Sequence, residues 1–474
     1  MQDVISQSSQ SRTSQIMALL AAAMCFFAVG YVYFSGSNSA LAGFLLLMAA
    51  IIYSSMFSWL LLNKNFRPMS TFSLVYLLFG FCIPGLYQVR TGLYFWPSTA
   101  ISADLEQSAA MIVFISSLAF VLGYVLSVRR TPKEIAPAQT RLNLSNWARA
   151  ALLASAVSIM VTLYALQKLG PIPFFAPREV AEIYFRTNGI SLSQIGLTKT
   201  IAQGFAIGSL CLSLFVFFRV RMRTLTTCLA MLVAISSNVI ANFPLAIARF
   251  YLLAILIIIA LFVFRKTTEK FHRLFTISIP LLLFFVFPTL GKFNRYKEVN
   301  FSFSDISPTE YLSHGDLDGF QSMMNAVYMV QVEGLNFGKS LLSAIFFFVP
   351  RSIWEGKAQP TGAAAAEVAN YHYLNISMPL PGEFYVDGGY FFAALGMFIV
   401  GYMVAKIDRL ASFQDSKTPY AIIAIAFAAI ILRGSLLGVI AASACSLGLV
   451  ALSLTVARVR LRKGRRSAWG YQNS

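Results

Sequence analysis

The chain alternates long, almost uninterrupted apolar runs with short polar segments. Most runs are about twenty residues long, which is the length that an α-helix needs to cross a lipid bilayer. Lipid offers no hydrogen-bonding partner to the backbone, so only helices or a closed barrel can span it, and continuous runs predict helices. Twelve spans are predicted: residues 16–34, 40–62, 70–89, 108–128, 149–167, 200–218, 224–241, 244–264, 274–290, 389–405, 418–435 and 438–457.

The basic residues predict the orientation of these spans. With the N-terminus inside, 24 of the 37 Lys and Arg residues fall in the inner segments, whereas 14 of the 19 carboxylates fall outside. The positive-inside rule therefore places both termini in the cytoplasm, and residues 457–474 form a basic cytoplasmic tail. Because topology explains the net charge of +18, we expect no nucleic-acid partner.

Composition agrees with a single polytopic membrane domain over residues 1–474. The chain is 57% hydrophobic and 12% charged, with a mean hydropathy of +0.69. The first apolar run has a full spanning length, so we interpret it as a transmembrane helix and not as a cleaved signal peptide. The five cysteines all lie inside apolar runs, so we expect neither a disulfide nor a metal cluster. The predicted fold class is an all-α integral membrane protein.

Two outer segments are long enough to carry a site. Residues 168–199 begin with a stiff Gly-Pro-rich stretch and continue as REVAEIYFRTNG, whose apolar spacing is typical of a short helix on a membrane surface. Residues 291–389 hold ten of the chain's carboxylates. Their apolar stretch 340–348 is too short to span and is expected to dip into the outer leaflet or lie along it. We interpret this second segment as the active-site segment.

Arginines at the predicted outer face are the candidates for anion binding. A guanidinium keeps its charge and presents a planar fork that matches phosphate oxygens. Arg249 is prominent because it interrupts the apolar run FPLAIARFYLL, where a charge must be paired or hydrated, although it could also extend to a lipid phosphate. For three of the candidates, pairing with nearby carboxylates is an equally good reading. The candidates are Arg249, Arg351 and Arg433, together with the three that could simply pair with carboxylates, Arg178, Arg186 and Arg295.

Candidate proton-transfer groups lie in the second long segment. His314, in SHGDLDGF, stands beside Asp316 and is a natural base for a sugar hydroxyl, although a turn with carboxylates capping the next helix explains the same residues. Glu383, in PLPGEFYVDGG, is a second candidate as a loop carboxylate. Aromatic side chains stack on sugars and also line membrane interfaces, and the latter reading is favoured for Trp96. The candidate sugar-stacking residues are Trp354, His372 and Tyr385.

One stretch resembles a known family. The block FFVPRSIWEGKAQPTG, followed by NISMPLPGEFYVDGGYFFAALGMFIVGY, resembles the bacterial oligosaccharide repeat-unit polymerases, the Wzy-type O-antigen polymerase family. Members are described with an Arg, ten residues and then a Gly in each of two periplasmic loops. The pairs Arg178–Gly189 and Arg351–Gly362 fit this spacing, and they fall in the two long outer segments.

The resemblance implies a GT-C-like, metal-independent glycosyltransferase without a cofactor in the bacterial inner membrane. Its substrate would be an undecaprenyl-diphosphate-linked oligosaccharide. The growing chain would move to the non-reducing end of a new lipid-linked unit at the periplasmic face. Membrane lipids are further partners, and docking of a chain-length regulator stays open. The alternatives are an O-antigen ligase-type enzyme and a lipid-linked oligosaccharide transporter or flippase.

Overall fold

The computed structural model describes residues 2–63, 66–97, 101–129, 144–187, 192–219, 224–264, 269–286, 308–411 and 417–469. Within these ranges the chain is helical and has no β-strand. The first nine helices are α1 (Gln2–Phe34), α2 (Ala40–Leu62), α3 (Pro68–Thr91), α4 (Ala103–Arg129), α5 (Leu144–Leu169), α6 (Ile172–Phe175), α7 (Arg178–Thr187), α8 (Leu192–Arg219) and α9 (Leu225–Ala241). The remaining helices are α10 (Arg249–Val263), α11 (Glu269–Leu281), α12 (Pro308–Tyr311), α13 (Gly319–Glu333), α14 (Lys339–Ile345), α15 (Thr361–Val368), α16 (Leu380–Leu410), α17 (Thr418–Arg433) and α18 (Leu436–Trp469).

Eight of these helices are long and apolar enough to cross a membrane, so the predicted integral membrane character is confirmed. They are α1, α2, α3, α4, α5, α8, α16 and α18. The other four predicted spans coincide with shorter apolar helices, namely α9, α10, the segment His272–Phe284 and α17. Within the described part of the chain, each predicted span therefore coincides with a helix over most of its length.

The helix α16 differs most from the sequence prediction. It begins at Leu380, nine residues before the predicted span, and it kinks at Gly388 and Gly389, where Gly389 adopts a left-handed φ of 66°. The assignment of Glu383 to a loop was therefore wrong, because Glu383 lies in the first turn of α16. The predicted boundary at residue 389 coincides with the kink.

Two buried carboxylates, Glu383 and Asp387, explain why the first turns of α16 look like a loop in the sequence, and Asp408 plays the same part near the other end of this helix. Each of three carboxylates accepts hydrogen bonds from the backbone at the N-terminal end of another helix, where N–H groups have no intrahelical partner. Glu383 binds the amide of Leu436 at 2.7 Å in α18, Asp387 binds those of Ser340 (3.0 Å) and Leu341 (2.7 Å) in α14, and Asp408 binds those of Met69 (2.7 Å) and Ser70 (3.1 Å) in α3. The polar residues that suggested a loop are thus capping groups that tie α16 to three neighbours.

Glycines allow two helix pairs to pack with their backbones close together. A Cβ at Gly123 of α4 would overlap the carbonyl oxygen of Phe398 in α16, and a Cβ at Gly401 of α16 would overlap that of Phe120 in α4. The same arrangement joins α8 to α18, where Gly204 lies against α18 and its carbonyl accepts a 2.7 Å hydrogen bond from Ser446. Small residues at four-residue spacing are the usual means of close helix packing in lipid.

The termini of the helices form two contact networks at opposite ends of the bundle. At what we call the Asp408 end, the contacts are Asp408 with the start of α3, Arg409 with the carbonyl of Ser127 (2.7 Å), Arg273 with the carbonyl of Leu61 (3.1 Å) and Phe66 stacked on His272 (4.6 Å). At the Asp316 end, they include Arg90 with the carbonyl of Asn38 (2.7 Å), Tyr94 with Glu106 (2.6 Å), Gln88 with the carbonyl of Leu312 (2.9 Å) and Arg249 with Asp316.

Candidate functional site

Arg249 and Asp316 form the centre of the Asp316 end. Arg249 is the first residue of α10, and both of its terminal nitrogens donate to the Asp316 carboxylate, Nη1 to Oδ2 at 3.0 Å and Nη2 to Oδ1 at 2.8 Å. The two side chains are only 12% and 7% exposed. The sequence prediction that Arg249 needs a partner or water is met by a planar, two-bond ion pair.

A second arginine reaches the same loop from another helix. Arg433, the last residue of α17, lies 3.3 Å from the Asp318 carboxylate and donates to the carbonyl oxygens of Gly315 and Asp316 at 3.4 and 3.3 Å. Its guanidinium also lies 4.8 Å from the centre of the Phe250 ring. Residues 314–318 therefore receive positive side chains from two helices that are far apart in the sequence.

His314 is the accessible group of this cluster. Its side chain is 43% exposed, and its ring lies 5.4 Å from the rings of both Tyr311 and Phe95. The imidazole Nδ1 accepts a 3.2 Å hydrogen bond from the backbone N–H of Asp316 and lies 3.5 Å from the carboxylate Oδ2. The carboxylates do not cap the following helix as the turn reading expected, because Asp316 and Asp318 pair with arginines and Asp318 makes no side-chain cap. The role of His314 as a base stays a prediction.

The surroundings of Asp316 keep its carboxyl ionised. Burial alone would raise its pKa, but the close approach of the His314 imidazole and the charge and hydrogen bonds of Arg249 outweigh burial and hold the pKa well below its usual range. The nearby Tyr311 hydroxyl donates to Oδ2 at 3.3 Å. The pKa of Tyr311 is raised, first by burial and then by the Asp316 charge, so this phenol stays a hydrogen-bond donor.

Aromatic side chains extend from the histidine along the surface. Trp96 donates its indole N–H to Asp318 at 2.9 Å, and its backbone pairs with the side-chain amide of Gln321 through two hydrogen bonds of 2.9 and 2.6 Å. Its ring stacks with those of Tyr371 and Tyr373, with centroids 5.9 and 5.6 Å apart. The adjacent Phe95 and Tyr373 are 41% and 43% exposed. These rings form a fixed, partly exposed platform beside His314.

Comparison of the chain with protein-family models, with curated proteins and with solved structures finds no significant match.

Arg351 lies in a different part of the same end. Its side chain is exposed and donates to the carbonyls of Lys357 (2.6 Å) and Ala358 (2.8 Å), so it braces its own loop. Among the described residues, it has no contact with the cluster around Asp316. Gly362 is buried, and a Cβ there would lie 2.6 Å from the carbonyl oxygen of Ile376. In this loop both members of the Arg–Gly pair therefore have structural roles: Arg351 bonds to its own loop, and Gly362 allows a close backbone contact.

Two further candidates are engaged in packing. Glu383 is 1% exposed and accepts from the Thr361 hydroxyl at 2.6 Å as well as from the Leu436 amide. Such an enclosed carboxylate has no access to a sugar hydroxyl, so the geometry does not favour Glu383 as the base. Tyr385 is buried in α16 with its ring edge-on to Tyr390, which removes the surface that sugar stacking requires.

Trp354 and His372 lie outside the cluster around Asp316, and the side chains of the other three candidates lie outside the described part of the chain. Trp354 is half-buried in the loop after α14, and its backbone amide donates to the carbonyl of Pro350 at 3.1 Å. His372 is exposed between Tyr371 and Tyr373, next to the aromatic platform. Arg178 and Arg186 lie on α7, but their side chains are outside the described part of the chain, as is the whole of Arg295. In the described ranges no three His, Cys, Asp or Glu side chains are placed to hold a metal ion.

Sequence reasoning missed several members of the cluster. Tyr311 was not considered, and Trp96 was assigned to the membrane interface in preference to sugar binding. The sequence did contain a signal for Trp96. The stretch FWP follows the predicted span 70–89, and a Trp in such a loop can pack against other loops. The pairing of Trp96 with Asp318 over 222 positions had no local signal.

Proposed function

We propose that the chain is a glycosyltransferase that polymerises undecaprenyl-diphosphate-linked oligosaccharide units into a surface polysaccharide, an O-antigen or a related polymer. The supporting observation is the cluster at residues 314–318, where two arginines, an exposed histidine and an aromatic platform meet at one end of a membrane helix bundle. The sequence resemblance to the Wzy-type polymerases suggests the reaction. The cluster supplies groups of the kinds that this reaction needs.

The proposal includes twelve membrane crossings in the bacterial inner membrane, with the Asp316 end in the periplasm. Support comes from the four shorter apolar helices, whose termini lie at opposite ends of the bundle. For example, α10 starts at Arg249 beside Asp316, whereas Phe264, just after its end, contacts Phe275 in α11. The segment His272–Phe284 runs back, from Phe66 at the Asp408 end to Tyr311 at the Asp316 end. A helix that connects the two ends of such a bundle crosses the same layer as its longer neighbours.

Arg249 and Arg433 are the proposed ligands of the diphosphate. A polyprenyl tail would hold the reacting diphosphate at headgroup depth. Arg249 and Arg433 are terminal residues of α10 and α17, and the ends of membrane-crossing helices are expected at that depth. Each guanidinium is balanced by a carboxylate, so a diphosphate must compete with Asp316 and Asp318 for these positive charges. Fixed guanidinium groups can stabilise the charge that develops on the leaving diphosphate without a metal ion.

His314 and the adjacent rings are the proposed acceptor side of the site. A histidine near neutral pH can take the proton of a sugar hydroxyl. The exposed faces of Phe95 and Tyr373 can pack against the C–H face of a pyranose ring, as aromatic side chains do with other apolar surfaces. The acceptor oxygen then bonds to the anomeric carbon of the donor, and the bond from that carbon to the diphosphate oxygen breaks.

A deletion strain complemented with variants tests the proposal. Loss of the gene is expected to leave single repeat units on the lipid A core, because a ligase can still transfer one unit. Arg249→Ala and His314→Ala should fail to restore long chains while inserting normally, whereas Lys339→Ala, which removes an exposed cation from the same end, should restore them. Loss of all repeats in the deletion strain would indicate a ligase or flippase. Normal ladders from the two site variants would refute the proposed site.

A further inference from the structure

The hydrogen bond of His314 selects a tautomer of its ring that does not suit a base. Nδ1 accepts the backbone N–H of Asp316, so the lone pair of the neutral ring is on Nδ1 and the proton is on Nε2. Nδ1 is thus occupied by the protein itself. A base that serves an acceptor sugar through the other nitrogen needs the opposite tautomer, with a proton on Nδ1 and a lone pair on Nε2.

The group that could hold that opposite tautomer is already close. The Asp316 Oδ2 lies 3.5 Å from Nδ1, which is too long for a hydrogen bond but within a small side-chain rotation of one. The Asp316 carboxylate is kept from His314 by two hydrogen bonds from Arg249 and one from the Tyr311 hydroxyl. Asp316 can therefore orient either Arg249 or His314, and in this structure it orients Arg249.

We propose that a diphosphate group switches Asp316 from Arg249 to His314. A diphosphate that binds Arg249 competes with the carboxylate for the same planar fork of N–H groups. Asp316, released from the arginine, accepts a hydrogen bond from Nδ1–H, and the ring presents an unprotonated Nε2 to the acceptor. Asp316 is thus a positioning residue, and the base becomes available only when a lipid diphosphate is bound. This inference rests on the proposed function for the identity of that anion.

The proton inventory is simple. On switching, the imidazole loses the proton from Nε2 to solvent and gains one on Nδ1, and the 43% exposed ring allows this exchange. In the transfer step the acceptor hydroxyl gives its proton to Nε2. Its oxygen bonds to the anomeric carbon, and the diphosphate leaves with the electron pair of the broken C–O bond. The imidazolium that results lies beside the ionised Asp316, which stabilises its charge.

Nuclear magnetic resonance of the purified full chain, with 15N-labelled histidine at about pH 8, tests the switch. The probe is farnesyl diphosphate, and farnesol is the control that lacks the anion. Without the probe, the His314 spectrum should show an unprotonated Nδ1. With saturating farnesyl diphosphate it should show a protonated Nδ1, whereas farnesol should leave the spectrum unchanged. His272 and His372 provide internal references in the same sample.

The variant Arg249→Met adds a test that needs no ligand. Removal of the guanidinium frees Asp316, so the protonated-Nδ1 form should predominate without any probe, and Arg249→Lys should restore most of the original form. If farnesyl diphosphate shifts the 15N signals of labelled Arg249 but the His314 tautomer stays the same, the switch is refuted and the diphosphate site survives. If it shifts neither set of signals, the diphosphate site and the switch are both refuted.

Discussion

Asp316 and Arg249 form an ion pair of which both members are largely buried. Removal of one partner from such a pair leaves an unpaired charge and costs about 3–5 kcal/mol, whereas replacement of both by apolar groups is often neutral. We therefore expect Arg249→Met and Asp316→Leu each to lower the free energy of unfolding by about this amount. The double variant should recover most of the loss, yet it should not make polymer, since the proposed reaction requires the charges.

A double-mutant cycle measured by chemical unfolding in detergent gives the coupling between the two residues. Since the pKa of Asp316 is lowered in the folded chain, its contribution is complete above the ordinary carboxyl pKa of about 4 and is lost only at lower pH. The coupling should therefore be equal at pH 5 and pH 8. Additive single effects, or a coupling that disappears at pH 5, would contradict the ion-pair assignment.

Two substitutions of Glu383 can distinguish a capping role of this side chain from a catalytic one. A glutamine at this position keeps a carbonyl oxygen that can accept from the Leu436 amide, and its NH2 group can donate to the Thr361 hydroxyl oxygen, but it cannot act as a base at neutral pH. We expect Glu383→Gln to keep polymer synthesis within a few-fold of the original, and Glu383→Ala to lower the amount of folded protein. Polymer ladders and detergent-solubilised yield measure the two effects. A stable Glu383→Gln chain without polymer would restore Glu383 as the base.

Residue types at the cluster could be predicted from the sequence, but their partners could not. Arg249 was singled out because a charge inside an apolar run is costly without a purpose. Arg433 was chosen as an arginine at the predicted outer face, and His314 with Asp316 as proton-transfer groups in an outer segment. Which of them meet depends on how helix ends converge, and the contacts join positions 67 to 225 residues apart. Local spacing carries no information about such pairings. For this reason Arg351 could not be distinguished from Arg433 before the fold was known.

Among the helices, α16 connects more of the bundle than its sequence suggests. Three of its carboxylates cap three helices, and its glycine face packs on α4. Apolar runs predicted the hydrophobic helices of the described chain, eight of which have the length and composition that crossing a lipid bilayer requires. The start of α16 was mispredicted because its first turns carry polar residues. A polar residue that is satisfied by a neighbouring helix looks, in sequence, like a residue that faces water.

The close packing of α16 on α4 predicts that adding one methyl group at Gly401 destabilises the fold. In Gly401→Ala the new Cβ would overlap the Phe120 carbonyl oxygen, so the helices must separate, at a cost of about 1–3 kcal/mol. Gly448→Ala is the matched control, because its Cβ would meet no atom within 4 Å. That variant should be neutral or more stable by about 0.5–1 kcal/mol, since alanine favours a helix.

Thermal unfolding in detergent, followed by size-exclusion chromatography, compares the two glycine variants. The expected order of midpoints is Gly448→Ala at or above the original chain, and Gly401→Ala several degrees below it. An unchanged midpoint for Gly401→Ala would mean that the close approach of α4 and α16 does not exist in the membrane.

Across the whole molecule, the two contact networks restrict how the chain can cross the membrane. If only the eight long helices crossed, the segment between α8 and α16 would stay on one side, so residue 372 would lie opposite to residue 96. The stacking of Trp96 with Tyr371 and Tyr373 requires both segments on the same side. Three further crossings, by α9, α10 and the segment His272–Phe284, would remove the conflict. A crossing by α17 would then return the C-terminus to the side of the N-terminus, as the proposed topology requires.

Cysteine labelling with a membrane-impermeant maleimide can test this arrangement in intact spheroplasts. Ser37→Cys, His372→Cys and Arg129→Cys place thiols at exposed positions, the first two at the Asp316 end and the third at the end of α4. We expect Ser37→Cys and His372→Cys to react in intact cells, and Arg129→Cys only after permeabilisation. The chain without an added thiol measures the background from its five native cysteines. Labelling of Ser37→Cys without His372→Cys would mean that the intervening helices do not all cross, and the cluster at Asp316 could not then form at a single membrane face.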